Sequence, residues 1–496
     1  MHHQPSMFGY VKDDAVAGIV VFLVALPLCL GIAVACGVPP VSGLVAGVIG
    51  GLVIPWLSRS ALSVSGPAAG LTSIVLVEVQ HLGGISPFLT AVLIAGGLQI
   101  ALGALRAGRF ADVVPSSVIK GMLAAIGITI IWKQLPALFG ATGGLGAIAS
   151  QLHTGAMVIG VVSLAILYGW AYTPLKRFKV LSPALVVVLV ASGLAAAFKG
   201  LSGLTLAPEH FVSVPLGGVS ALWAALPRPD MTAFTNPAVW VTGATIAIVA
   251  SIETLLSLQA VDRLDPLRRH SPPDRELLAQ GTANALCGLL GALPVTAVIV
   301  RSGANVAAGG RERLSALIHG ILLLVAVVFA GALLNQIPLA CLAAVLIQVG
   351  LNLAKPALFR LQARLGATQF LPFALTIGAV LALDLLKGVI VGIVIGIGFI
   401  LFENSKRAVV AERDASTGTL RVRFRRDGTF VSKPGIVAVL DTVKDGERVE
   451  IDGTEEYVDH DVKEMLARFR ADASHRNITV RITGIDMTHA EGTGGH

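Results

Sequence analysis

One carboxylate stands where the chain carries little other charge. Glu253 lies in the middle of the run ATIAIVASIETLLSLQAV, with no Lys or Arg within a helical turn. An ionisable group in such an apolar run is costly unless it is paired or functional. In a helix, Ser257 falls on the same face four residues on, with Ser251 nearby. A carboxyl there suits reversible protonation, and extra oxygen ligands would suit sodium, so Glu253 and Ser257 are the candidate cation-coupling site. The competing reading is a protonated structural Glu that bonds a neighbouring helix.

Two other stretches combine Pro with small residues: SALSVSGPAAGLTSIV (60–75) and GALPVTAVIVRSGANVAAGG (291–310). Each reads as a short extended piece followed by a short helix. A half-helix that starts inside a bilayer presents unpaired N–H groups and about half a positive charge at its N-terminus. Two such ends facing one another make an anion site without a dedicated cation. Ala68, Ala69, Gly70, Ala297 and Val298 are small or short, so an anion could approach the backbone there. The alternative is that small residues merely let helices pack closely. Arg301, seven residues after Pro294, fits two roles: adding positive potential to the anion cavity, or pairing with a buried acid or reaching to the membrane surface. Thr296 and Ser302 are candidate lining residues, although hydroxyls in spans commonly bond their own backbone.

The elements that must hold these residues follow from composition. Of 496 residues, 54% are hydrophobic and 14% charged, with mean hydropathy +0.79. Residues 1–403 carry 22 Lys+Arg and 14 Asp+Glu, and the last 93 carry 15 and 16. A charge-poor body followed by a charge-rich tail excludes an ordinary soluble enzyme and gives a polytopic membrane protein with a small soluble domain. The basic pI of 9.4 is therefore no nucleic-acid signal. No phosphate-binding loop or metal-spaced His set occurs, which argues against an enzyme or an ATP-driven pump. The four cysteines, Cys29, Cys36, Cys287 and Cys341, lie in apolar segments without CxxC spacing and read as packing residues.

Apolar runs predict fourteen spans, starting near residues 14, 38, 67, 87, 112, 152 and 180, and then near 237, 274, 296, 314, 336, 367 and 386. Seven spans (13–199), a linker (200–236) and seven more (237–403) put the two halves upside down relative to each other. Both Pro-containing broken segments come third in their half. With the N-terminus cytoplasmic, inward loops hold Arg59; Arg106 and Arg109; Lys176, Arg177 and Lys179; Arg263, Arg268, Arg269 and Arg275; Arg311 and Arg313; and Lys355, Arg360 and Arg364. Outward loops hold only Lys133, Lys199, Arg228 and Lys387, so both termini are expected in the cytoplasm. From 419 onward, 420–426, GTFVSK, RVEIDG and ITVRITGID read as strands, 433–443 and 459–477 as helices, and 487–496 as a disordered end.

VALPLCLGIA, SVSGPAAGLT, ASIETLLSLQAVD and GALPVTAVIVRSGANVAAGG together resemble the SulP family of inorganic anion permeases. The tail (404–496) is similar to a STAS domain without its last helix. The resemblance implies an all-α membrane fold with fourteen spans in a seven-plus-seven inverted repeat, a core domain (spans 1–4 and 8–11) moving against a gate domain, a cytoplasmic STAS-like domain and a homodimer in the bacterial inner membrane. It adds Leu28, Ile32 and Ile299 to the anion site, and identifies Glu253 with the family's coupling acid and Ser257 with a hydroxyl that helps hold sodium. Ile299 replaces a hydroxyl and Glu replaces an Asp of sodium-coupled bicarbonate members, which shifts weight from sodium toward protons. The motifs look most like a bacterial subgroup linked to carbonic anhydrase, implying bicarbonate ahead of sulfate. A dicarboxylate such as fumarate, and an uncoupled exchanger or channel, remain as alternatives. No cofactor is implied beyond the coupling ion.

Overall fold

The computed structural model describes residues 7–108, 115–141, 145–174, 182–383, 385–406, 408–414 and 417–488. Arg109, Lys176, Arg177 and Lys179 of the charge pattern, and residues 489–496 of the expected disordered end, lie outside them. Tertiary contacts divide the chain into two units, one built from 7–361 and 373–390, the other from 362–372 and 391–488.

The helices of ten or more residues up to residue 406 are α1 (Val11–Ala35), α2 (Pro40–Leu52), α3 (Thr72–His81), α4 (Ile85–Ala104), α5 (Ser116–Leu138), α6 (Thr154–Gly169), α7 (Pro183–Ala197), α8 (Pro237–Leu264), α9 (Pro273–Leu290), α10 (Ile299–Ala308), α11 (Leu314–Phe329), α12 (Leu339–Leu353), α13 (Ala367–Ala382) and α14 (Leu385–Lys406). Several begin with Pro in the first turn, where its missing N–H costs nothing. Asn236 caps α8 by accepting the Ala238 N–H at 3.0 Å. Among the described residues, six segments are both long and apolar enough to cross a bilayer alone: Val11–Ala35, Pro40–Leu57, Ile85–Ala104, Ser116–Leu138, Pro237–Leu264 and Leu339–Arg364.

Close packing in lipid depends on small residues that let backbones approach. The α4 and α9 pair is one example, since a methyl on Gly96 would lie 2.3 Å from the Ala285 nitrogen. The first unit also contains two three-residue strands, β1 (Ser65–Pro67) and β2 (Val295–Ala297), paired antiparallel with Ser65 opposite Ala297 and Pro67 opposite Val295. Residues from the two halves of the sequence thus share one ladder inside an otherwise helical unit.

The second unit carries a four-stranded sheet: β3 (Val409–Arg413), β4 (Thr419–Phe424), β5 (Arg448–Asp452) and β6 (Thr479–Thr483), in that spatial order. The β3–β4 pairing is antiparallel and the other two are parallel. Helices α15 (Lys433–Leu440) and α16 (His460–His475) cover a core that includes Leu420, Val422, Ile436, Val449, Ile451, Val462 and Leu466. The expected strand at GTFVSK is instead a helical turn. The Thr429 side chain and Ser432 bond each other's backbone in a capping box that starts the following helix. Strand β3, by contrast, had no expectation attached to it. Its pattern is one of half-buried and exposed residues at a sheet edge, which carries little alternation.

Candidate anion and cation site

Both broken segments are interrupted as the sequence predicts. After β1, residues Ala69–Leu71 form a 3-10 turn that leads into α3, and after β2 the chain enters α10. Because the strands run antiparallel, α3 and α10 leave the ladder at opposite ends. The two exits from the ladder, at Pro67 and Ala297, are two residue pairs apart, about 7 Å at the rise of a strand. Ser302 N–H closes the first turn of α10 onto Val298 O, leaving the N–H groups of Ile299, Val300 and Arg301 without helical acceptors. Ala297 and Ala68 are buried, whereas Ile299 and Val300 are 39% and 43% exposed, so the first turn of α10 is open.

The backbone around the ladder is held by polar side chains from α8, α9 and α10. Ala297 N–H donates to Thr254 Oγ1 (3.2 Å) and Val298 N–H to Val64 O (3.0 Å). Asn284 of α9 bonds both backbone groups of Val295: its Oδ1 accepts the N–H at 2.6 Å and its Nδ2 donates to the carbonyl at 3.0 Å. Asn284 also donates to Gln99 (2.7 Å), which reaches Ser251 at 3.3 Å. Gln280, one turn earlier, donates to Ser65 Oγ at 2.6 Å and to Glu276 at 2.9 Å, and Glu276 accepts from Ser58. Ser302 takes the Val64 N–H (2.9 Å), and Asn305 donates to Leu62 O (3.1 Å). Each satisfied group avoids a penalty of about 1–3 kcal/mol for a stranded buried donor or acceptor. Thr296 and Ser302, expected as possible lining residues, serve the backbone instead: Thr296 donates to Ala297 O and Ser302 to Val298 O.

Glu253 and Gly70 are brought together. The Glu253 carboxylate accepts a hydrogen bond from the Gly70 backbone, at the start of the first half-helix. A methyl on Gly70 would lie 2.5 Å from Oε1, so only glycine admits the carboxylate this closely. Oε2 is buried and has no hydrogen-bond partner among the described residues. Ser257 is buried one turn further along α8. Leu28 and Ile32 of α1 are buried, and α1 packs on β1 and α10.

Arg301 is completely buried, and no carboxylate pairs with it among the described residues. Its Nη2 donates to Pro67 O (3.2 Å) and to Cys29 Sγ (3.4 Å), while Nε and Nη1 have no partner. The guanidinium lies against Gly66, where a methyl would come 1.9 Å from Nη1. The second half-helix therefore directs an unneutralised positive charge back onto the carbonyl end of β1. The role that pairs Arg301 with an acid or sends it to the surface is not the one this geometry adopts.

Polar residues of α9 were not singled out from the sequence. Their signal was present, because Glu276, Gln280 and Asn284 recur every four residues in a segment meant to cross lipid, which marks one polar helix face.

Comparison with known proteins bears on the whole arrangement. The profile described as "Sulfate permease family" matches residues 11–376. The putative sulfate transporter YbaR of Bacillus subtilis (strain 168) is 28% identical over 459 residues, 91% of this chain and 89% of YbaR. The bicarbonate transporter BicA of Picosynechococcus is 27% identical over 364 residues, covering 70% of this chain and 62% of BicA. Among solved structures, the transmembrane domain of a cyanobacterial BicA superposes with a TM-score of 0.68 at 23% identity, covering 77% of this chain and 98% of that one. The SLC26A9 structure gives 0.76 at 16% identity over 96% of this chain and 84% of that one, a likeness of fold.

Proposed function

The chain belongs to the sulfate permease family, a family of transporters rather than enzymes, and we propose that it is a secondary active carrier of a small inorganic anion, bicarbonate ahead of sulfate, driven by proton or sodium symport. In this reading the N-terminal ends of the two half-helices hold the anion and Glu253 holds the coupling ion. Bicarbonate is favoured by the likeness to BicA, sulfate by the likeness to YbaR.

The observation that carries the reading is the hydrogen bond between Gly70 and the Glu253 carboxylate. An ionised Glu253 occupies the positive end of the first half-helix and repels an incoming anion across a short, poorly screened distance. A proton on that carboxylate removes the negative charge, so proton and anion favour each other's binding, as symport requires. Sodium would act likewise by neutralising the carboxylate, with the unpartnered Oε2 and the Ser257 hydroxyl as oxygen ligands. Neutral Glu253 and bound anion travel together; once either leaves, the other is held less tightly. Leu28, Ile32, Ala68, Ala69, Ala297, Val298 and Ile299 shape the pocket, and Arg301 supplies positive potential from behind β1.

The fourteen helices α1–α14 are read as fourteen crossings in two inverted sets of seven, supported by the broken third element of each set and by their antiparallel ladder. Residues 1–403 then form the transport domain and 404–496 a STAS-like domain. A homodimer in the bacterial inner membrane, both termini in the cytoplasm and a functional link to a carbonic anhydrase complete the proposal. The test is uptake into proteoliposomes of labelled bicarbonate, sulfate and fumarate, with and without imposed proton or sodium gradients. Accumulation that follows one gradient and one anion supports the reading; uptake indifferent to every gradient supports an uncoupled exchanger instead.

A further inference from the structure

A cavity of about 580 Å³ opens at the end of the transport unit shared with the start of α1. That end is fixed by Asp14, in the first turn of α1, whose Oδ1 accepts the backbone N–H groups of Arg311 (2.7 Å) and Glu312 (2.9 Å). The lining comes from three segments: residues 59–62 before β1, 261–271 in the last turn of α8 and the loop after it, and 312–313 after α10. All three belong to the elements that build the half-helix site.

Its electrostatics are uneven. Arg269 is fully used, bonding Asp265 at 2.7 Å and Glu312 at 2.6 Å, and so holds both of those acids. The third acid, Asp262, accepts the Ser271 N–H on one oxygen and the Ser271 hydroxyl on the other. Arg313 gives Nη1 to Ser58 O at 3.0 Å and keeps the rest of its fork. Arg59 and Arg268 line the cavity with no ion pair or side-chain hydrogen bond among the described residues. Ser60 is 4% exposed, lines the same cavity, and its hydroxyl has no partner among the described residues. Buried hydroxyls are seldom left so, and guanidinium forks match tetrahedral oxyanions.

We propose that this cavity is a second oxyanion site, distinct from the half-helix pocket, which takes a phosphate- or sulfate-type group between Arg59, Arg268 and Arg313 with the Ser60 hydroxyl as a further donor. The volume exceeds that of a bare oxyanion, so the group arrives free in solution or at the end of a larger molecule such as a lipid headgroup. A ligand here ties the loop that enters β1 to the loop that leaves α10, and so clamps both broken segments at one end.

The test is arginine-specific labelling of the full-length protein in a maltoside detergent. Phenylglyoxal modification of Arg59 and Arg268 is followed by peptide mass spectrometry in chloride, inorganic phosphate, sulfate, or short-chain phosphatidylglycerol at matched ionic strength. At about ten times its dissociation constant a ligand should slow both arginines about tenfold, with Arg263, which is exposed and outside the lining, unaffected. Protection by phosphate or sulfate identifies a free anion, and protection by phosphatidylglycerol alone a headgroup. Rates equal to those in chloride in every arm overturn the proposal. R268Q should abolish the protection of Arg59 and S60A should weaken it; protection unchanged in both variants means the anion acts from elsewhere and also overturns it. No transport is measured, so the outcome is independent of the reading of the half-helix site.

Discussion

The two units treat charge in opposite ways. The transport unit leaves two ionisable groups deep inside it incompletely satisfied: Glu253 has a lone buried oxygen, and Arg301 two stranded nitrogens. The C-terminal unit arranges charges on its sheet as cross-strand pairs, Arg421 with Glu450 and Arg423 with Asp452, all more than a third exposed. Surface pairs of that kind contribute about 0–1 kcal/mol and serve mainly solubility. A stranded buried charge costs several kcal/mol and persists only where something other than stability selects it. The contrast directs attention to the ladder between β1 and β2 rather than to the charge-rich tail.

Five experiments would break or sharpen that contrast. The largest effect is expected from Glu253→Gln, which keeps the hydrogen bond from Gly70 but fixes the side chain neutral: gradient-driven accumulation should fall at least about tenfold, about 1.4 kcal/mol of coupling, while exchange continues. Accumulation at the native level would end the coupling role of Glu253. Next, Asn284→Leu strands both backbone groups of Val295 and should lower stability by about 2–4 kcal/mol, well beyond Gln280→Leu at about 1 kcal/mol. The four buried cysteines allow a thiol-dye melt to read both. Gly66→Ala, which drives a methyl against Arg301, should cost about 1–3 kcal/mol by the same melt. If Gly66→Ala were silent, the guanidinium would not be held where it is found.

The smallest effects belong to the C-terminal unit. Arg423→Ala should change its stability by no more than about 0.5 kcal/mol. The Lys444 N–H and the Arg413 guanidinium hold the Glu447 carboxyl below the usual carboxylate range. Its folded value is therefore the lower one. The modest stabilisation is present above the ordinary value of about 4.3 and is lost as pH falls through the folded value. Backbone exchange of residues 417–488, corrected for intrinsic rates, should rise as the pH drops toward 3, and less so in Glu447→Gln. An equal rise in both would remove Glu447 as the cause.

Hydropathy, Pro and small-residue punctuation made much of the membrane architecture legible, because apolar length and helix interruption are local properties. Glu253 was legible for the same reason, a charge alone in an apolar run. What escaped was set by distant partners. Nothing near Arg301 in sequence says that it will turn back onto Pro67, 234 residues away. The extended piece at 295–297 was legible, but nothing in it says that Asn284 will hold the backbone of Val295. The turn at Thr429 was misread as a strand because side-chain capping overrides alternation, and strand β3 went unanticipated because a sheet edge shows little of it.

The short ladder also constrains how the molecule is made. Ser65 and Ala297 are 232 residues apart, so at a synthesis rate of about 5–20 residues per second the first strand waits on the order of ten to fifty seconds for its mate. During that interval an open backbone edge sits within the forming bilayer, where lipid offers no donors or acceptors. The amino-terminal half must therefore leave the insertion machinery unfinished or remain there, sheltered, until the carboxy-terminal half arrives to complete it.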